Sequence, residues 1–198
     1  DDDIDLCIWK KDYPRFRAAM QKGLPSHLHL IEPVDLFPAF YDYIPRIIDD
    51  RYFCHPPTEE DEFYGNKLNH ISADIFIVEH GAYSLPGVHL LAFQQKVLYG
   101  LSMGHRFSSS QAKHPGLISE IQANVLTFVG KHIPLDKIFR LYEKICCQYE
   151  NSNGKYCIII NDLPSFMGLP YEQKWFTGIT KFPLRSRLFP VQSGYHEK

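Results

Sequence analysis

The sequence predicts an α+β fold: a small mixed sheet carrying several acids, then a helical half and an irregular C-terminal segment. Two observations predict it. Before residue 85 the apolar residues fall in short runs bounded by turn residues, "IDLCIW", "YIPRIIDD" and "SADIFIVEH", as strands do. From Pro86 they recur at helical spacing in three longer segments, and after residue 162 Pro, Gly and aromatics break any period. The expected organisation is a sheet region over 1–85 and a helical region with a C-terminal lid over 86–198, in one continuous domain. A length of 198 residues suits that size.

The elements follow in order. After the opening strand, "DYPRFRAAMQKGLP" reads as a helix: Asp12 can cap it and Pro14 fits its first turn. Phe16, Ala19 and Met20 share a face, and Gly23 and Pro25 end it. Residues 28–53 form short extended pieces, with "YIPRIIDD" the best strand and Pro45 marking an edge or an irregular start. "PPTEEDEFYGN" reads as an acidic, solvated loop, and "SADIFIVEH" as an apolar strand holding one acid, Asp74. "GVHLLAFQQKVLYGLSM" is apolar around most of its circumference, which predicts a buried helix. "GLISEIQANVLTFVGKHIP" is a second helix, ended by Gly130 and Pro134. In the third, "LDKIFRLYEKICCQYEN", Ile138, Leu141, Tyr142, Ile145, Cys146 and Tyr149 make one stripe. "NSNG" is a turn, "KYCIIIND" a short strand, and the tail a packed irregular lid.

Composition narrows the function classes. A chain that is 44% hydrophobic and 22% charged, with formal net charge -2, is globular and has no basic run for nucleic acid or an anionic membrane. No apolar stretch approaches the roughly 20 residues that span a bilayer. Five cysteines, with no CxxC spacing and no Asn-x-Ser/Thr sequon, favour a reducing compartment, hence a cytoplasmic location.

The chemistry is concentrated in "DDDIDLCIW", with four carboxylates in its first five residues. In a strand, Ile4, Leu6 and Ile8 face one way and Asp1, Asp3 and Asp5 the other. Asp3 and Asp5, projecting together, suit a hard divalent cation, Mg²⁺ or Mn²⁺. Asp74 would join them if its strand is a neighbour, and three such acids can hold metal against substrate phosphates. The alternative for a bare Asp-x-Asp is an acidic overhang, solvated and inert.

"DDDIDLCIWKKDYPRF" resembles the opening of the LicD family, or LicD/fukutin group: a strand ending in Asp-Asp-Asp-hydrophobic-Asp, then a helix with Tyr and Phe. "YIPRIIDD", "HISADIFIVEH" and "EQKWFTGITKFPLRSRLFPVQSGYHEK" resemble later elements of that family in the same order. The resemblance implies a nucleotidyltransferase-like fold. It also implies transfer of a phosphorylated alcohol such as phosphocholine, from a CDP-activated donor such as CDP-choline to a glycan hydroxyl of teichoic acid or lipopolysaccharide. On this chain it places the metal ligands at Asp3, Asp5 and Asp74, with Asp1 as a lesser candidate, and Asp74 also as the group that helps deprotonate the acceptor. The family's Gly-rich helix and turn upstream of the acidic strand, and its Tyr-Gly segment beyond the C-terminus, have no counterpart. The expectation is that part of the fold core and donor site is missing from this stretch. A non-catalytic nucleotide- or glycan-binding member, or a nucleotidyltransferase that releases pyrophosphate, are the alternatives.

Other residues carry weaker expectations. Arg46 either clamps a donor phosphate or pairs with Asp49 or Asp50. Arg185 and Arg187, in the tail, either face an anionic substrate or lie on the surface. His105 and Arg106 in "MGHRF" are possible phosphate contacts. His27, His29, Cys54 and His55 lack the second ligand pair that structural zinc needs. Trp9, Trp175, Phe176 and Tyr195 could stack on a base or cage choline, but suit core packing better.

Overall fold

The computed structural model describes residues 4–107, 117–152, 154–184 and 186–194. Its sheet is built around β4 (His70–His80), with β1 (Ile4–Trp9) parallel along one edge. Along the other edge, β3 (Arg46–Phe53) and β5 (Tyr156–Ile159) pair antiparallel with different stretches of β4. β2 (Leu28–Ile31) extends the sheet beyond β3, and the two-residue β6 (Tyr171–Glu172) extends it beyond β5. The helices are α1 (Tyr13–Gly23), α2 (Glu59–Phe63), α3 (Leu85–Ser102), α4 (Leu117–Gly130) and α5 (Leu135–Cys146). The α+β class predicted from the sequence is the class observed, with a mixed six-stranded sheet.

The pleat of β4 sorts the side chains. Ile75 and Ile77 face the main core, with Leu6 and Ile8 of β1 beside them and α3 and α5 laid over them through Leu91, Leu98, Ile138, Tyr142 and Cys146. Tyr142 donates to the Ile160 carbonyl at 2.8 Å, and its ring stacks on Tyr43 at 3.8 Å between centroids. Val78 faces the other way, into a second cluster with Cys157, Trp9, Trp175 and Phe176. α3 and α4 approach so closely that a Cβ on Gly130 would collide with the Leu101 carbonyl, so glycine is required there.

A side chain completes the ladder between β3 and β5. Ile75 N–H donates to the Pro45 carbonyl, and Ile160 N–H donates to the Ile77 carbonyl. Between these, Asn161 accepts from Ile77 N–H at 2.8 Å and donates to the Ile75 carbonyl at 2.7 Å. Its amide thus makes the two bonds a strand residue would make, in a position only 3% exposed.

Several local expectations are corrected. Asp12 precedes α1 but its side chain makes no capping bond. The acidic stretch 59–63 is helical because Thr58 and Asp61 form a reciprocal capping box, and Asp61 is buried. α3 is not buried all round: Leu90 and Phe93 are 58% and 64% exposed. Leu141 of the α5 stripe is exposed. The tail contains a hairpin, β7 (Ile179–Leu184) and β8 (Arg187–Gln192), pairing Phe182 with Phe189. Among the described residues no helix is long and apolar enough to cross a membrane.

Asn161→Ala would leave an amide and a carbonyl of β4 buried without partners. The expected loss is about 2–4 kcal/mol in denaturant unfolding. Asn161→Asp should not recover it, because an ionised carboxylate cannot donate to Ile75.

Candidate functional site

Strand parity brings two of the expected acids together. In the parallel register Asp5 of β1 lies directly opposite Asp74 of β4, and across the other edge Asp74 lies opposite Arg46 of β3. Directly paired residues on neighbouring strands, roughly 4.8 Å apart, share a face. Asp5, Asp74 and Arg46 therefore form a row on the face opposite the main core, with Asp5 exposed and Asp74 half-buried.

Arg46 ties the row to the loop before β3. Its Nη1 and Nη2 donate to the two carboxylate oxygens of Asp42 at 3.0 and 2.5 Å, and its Nε meets Asp74 at 3.0 Å. The guanidinium is 12% exposed and the Asp42 carboxylate 7%. Asp42 is held by an Asx turn, accepting the Ile44 amide at 2.9 Å. Tyr41 lies under two cations: the Arg46 guanidinium is 5.4 Å and that of Arg106 4.8 Å from its ring centre.

Two carboxylates, Asp42 and Asp74, thus hold the Arg46 guanidinium, and Asp5 adds its charge on the far side of Asp74. Burial raises the Asp74 pKa above the ordinary carboxylate value; Arg46 pulls it down, but Asp42 and Asp5 push it up again. Burial acts against the Arg46 cation, yet Asp42 and Asp74 hold its pKa above the usual value. An all-oxygen donor pair of like-charged carboxylates fits a hard divalent cation in chemistry. Among the described residues no three His, Cys, Asp or Glu side chains come together as a metal cluster. Asp1 and Asp3 lie outside the described residues.

The other candidates are placed as follows. Arg46 does not pair with Asp49 or Asp50: Asp49 is bound by Arg51 at 2.9 and 2.6 Å, and Asp50 by His29 at 2.8 Å. The pleat turns Arg46 to the Asp74 side instead. Arg187 is exposed on the hairpin, with no hydrogen bond or ion pair to Asp5, Arg46 or Asp74; Arg185 and Tyr195 lie outside the described residues. Trp9, Trp175 and Phe176 pack together rather than line an aromatic cage. Cys146 and Cys157 are buried, and burial raises each thiol to about 12. Sequence reasoning passed over Asp42 and Tyr41. The signal for Asp42 was an Asp two residues ahead of a free amide and three ahead of Pro45, the spacing of an Asx turn.

Two outcomes are expected. Arg46→Met strands the buried Asp42 charge and should cost about 3–5 kcal/mol in chemical denaturation. Because the folded-state Asp74 pKa is raised, its contribution to stability is complete below the unfolded carboxylate value and fades as pH rises through the folded value. Asp74→Asn should therefore melt at or above the wild-type temperature at neutral pH. That advantage should shrink toward acid pH in paired thermal melts.

No family model, curated protein or solved structure matches the chain, so the site is read from its own geometry.

Proposed function

We propose that this chain transfers a phosphorylated alcohol, phosphocholine or a relative, from a CDP-activated donor to a glycan hydroxyl in teichoic acid or lipopolysaccharide synthesis. The nucleotidyltransferase-like fold and the LicD-type chemistry come from the sequence resemblance, and a cytoplasmic location goes with a CDP-alcohol donor. The observation that carries the reading is the pairing of Asp5 with Asp74 on adjacent parallel strands, beside Arg46. Asp5 and Asp74 would hold Mg²⁺ or Mn²⁺, with Asp3 the third ligand implied by the resemblance. When bound, that ion supplies charge neutralisation on the donor phosphates and the departing group.

The acceptor oxygen bonds to the phosphorus that bears the alcohol, the bond from that phosphorus to the bridging oxygen breaks, and CMP leaves. Asp74 takes the hydroxyl proton, a role its raised pKa suits. Arg46 is a positioning residue: its Nε orients Asp74, while Asp42 occupies both of its terminal nitrogens. Arg187, exposed on the hairpin, is the candidate contact for an anionic part of the substrate.

A second reading, a non-catalytic nucleotide- or glycan-binding member, has its own support: the Arg46 donors are already committed within the chain. A nucleotidyltransferase using the same acids would release pyrophosphate instead of CMP. The test is turnover of CDP-choline, CDP-ribitol and CDP-glycerol with a candidate glycan and Mg²⁺, with the released product identified by mass spectrometry. CMP release that falls by about 10²–10⁴-fold in Asp74→Asn, and falls likewise in Asp5→Asn, supports the transferase. Unchanged turnover in both variants overturns it. Binding without turnover, indifferent to metal, favours the binding module.

A further inference from the structure

A cleft of about 540 Å³ lies beside Arg106, walled by residues 35–39, 63–65, 67 and 104–106. Its walls are tied together. The Tyr64 hydroxyl donates to the Phe40 carbonyl at 3.0 Å and accepts the Phe107 amide at 3.1 Å. Phe40 N–H donates to the His105 carbonyl at 3.0 Å, and the His105 ring Nε2 lies 3.1 and 2.9 Å from the carbonyls of Gly130 and Ile133. After α2 the chain reverses through two left-handed residues, Gly65 at φ 65° and Asn66 at φ 57°, which brings Lys67 onto the wall. The cleft is thus preformed.

Its charge is unbalanced. Arg106 makes no ion pair with any described carboxylate. Its guanidinium rests on Tyr41 and lies beside the Tyr64 hydroxyl, its Nη1 is 3.8 Å from the Met103 sulfur, and its buried Nε has no hydrogen-bond partner. Lys67 donates at 2.7 Å only to a neutral group, the Asp35 carbonyl. The one carboxylate on the wall, that of Asp35, accepts the Glu32 amide at 2.8 Å. The Nε is enclosed, so an anion in the cleft would meet the guanidinium at its terminal nitrogens, and it would balance a cation that no described carboxylate pairs. Phe63, 48% exposed, offers an apolar face at the same cleft. The volume falls within the range of about 300–1,000 Å³ that accommodates small organic ligands.

We infer that this cleft binds a phosphate monoester of a small ring-bearing molecule, with Arg106 and Lys67 on the phosphate and Phe63 against the ring. Neither Asp5 nor Asp74 lines this cleft, which adjoins their row through Tyr41, and it needs no metal. Arg106 suits the phosphate through its planar fork and Lys67 as a point charge.

The test is calorimetric titration of the full chain in chelator, with glucose 6-phosphate, AMP, inorganic phosphate, and the neutral parents glucose and adenosine. One or both esters should bind at least about tenfold more tightly than their neutral parents and than inorganic phosphate. The stronger ester tells whether the ring is a sugar or a nucleoside. Arg106→Gln and Lys67→Gln should each weaken that binding by about tenfold or more, and Arg106→Lys by less. Asp5→Asn should leave it unchanged. Lys67 is half-exposed, so its variant serves even if Arg106→Gln fails to fold. Equal binding of esters and neutral parents, esters no tighter than inorganic phosphate, or affinity untouched by Lys67→Gln would each overturn the proposal.

Discussion

β4 is paired along both edges, and the rest of the molecule is arranged around that fact. A buried strand must satisfy every amide and carbonyl it presents. β1 does so along one edge; β3, the Pro45 carbonyl, the Asn161 side chain and β5 share the other. Once β4 is held this way, its pleat is held too, and alternate residues are committed to opposite sides. Ile75 and Ile77 anchor the main core, while Asp74 and Val78 are turned to the other face. The acids and the core are therefore positioned by the same backbone.

The second face is divided along its length. At the Trp9 end, the C-terminal segment covers it with Trp175 and Phe176, which pack against Val78 and Cys157. At the other end stand Asp5, Asp74 and Arg46, and Asp5 remains exposed. Asp74 shares the Arg46 guanidinium with Asp42 and has the like charge of Asp5 on its other side. Asp42 and Arg46 satisfy each other in a bidentate pair, and Asp74 carries the unrelieved part. A half-buried carboxylate whose pKa is raised by burial and like charges marks a candidate functional position.

Much of this was legible in the sequence. The three acidic or apolar strands, the three long helices and the alternation that separates Asp5 from Leu6 and Ile8 all rest on local periodicity, and those elements are found where expected. The partner of Arg46 was not legible. Asp49 and Asp50 are nearer in sequence, but the pleat sends Asp49 to Arg51 and Asp50 to His29, while an Asx turn folds Asp42 back to the guanidinium. Nor was the short helix 59–63, where a Thr58–Asp61 capping box outweighs the repulsion of successive acids.

By itself the sequence determined the α+β class, the order of the elements and the parity of the acids, because each depends on periods of two or 3.6 residues along the chain. Only the tertiary structure decided that β1 lies parallel to β4 in the register that sets Asp5 against Asp74, and that Asn161 completes the ladder between β3 and β5. It alone brought Tyr41, Arg106 and Lys67 to one side of the molecule. Register between distant strands and encounters between loops are settled by long-range packing and hydrogen bonding, which no local pattern encodes.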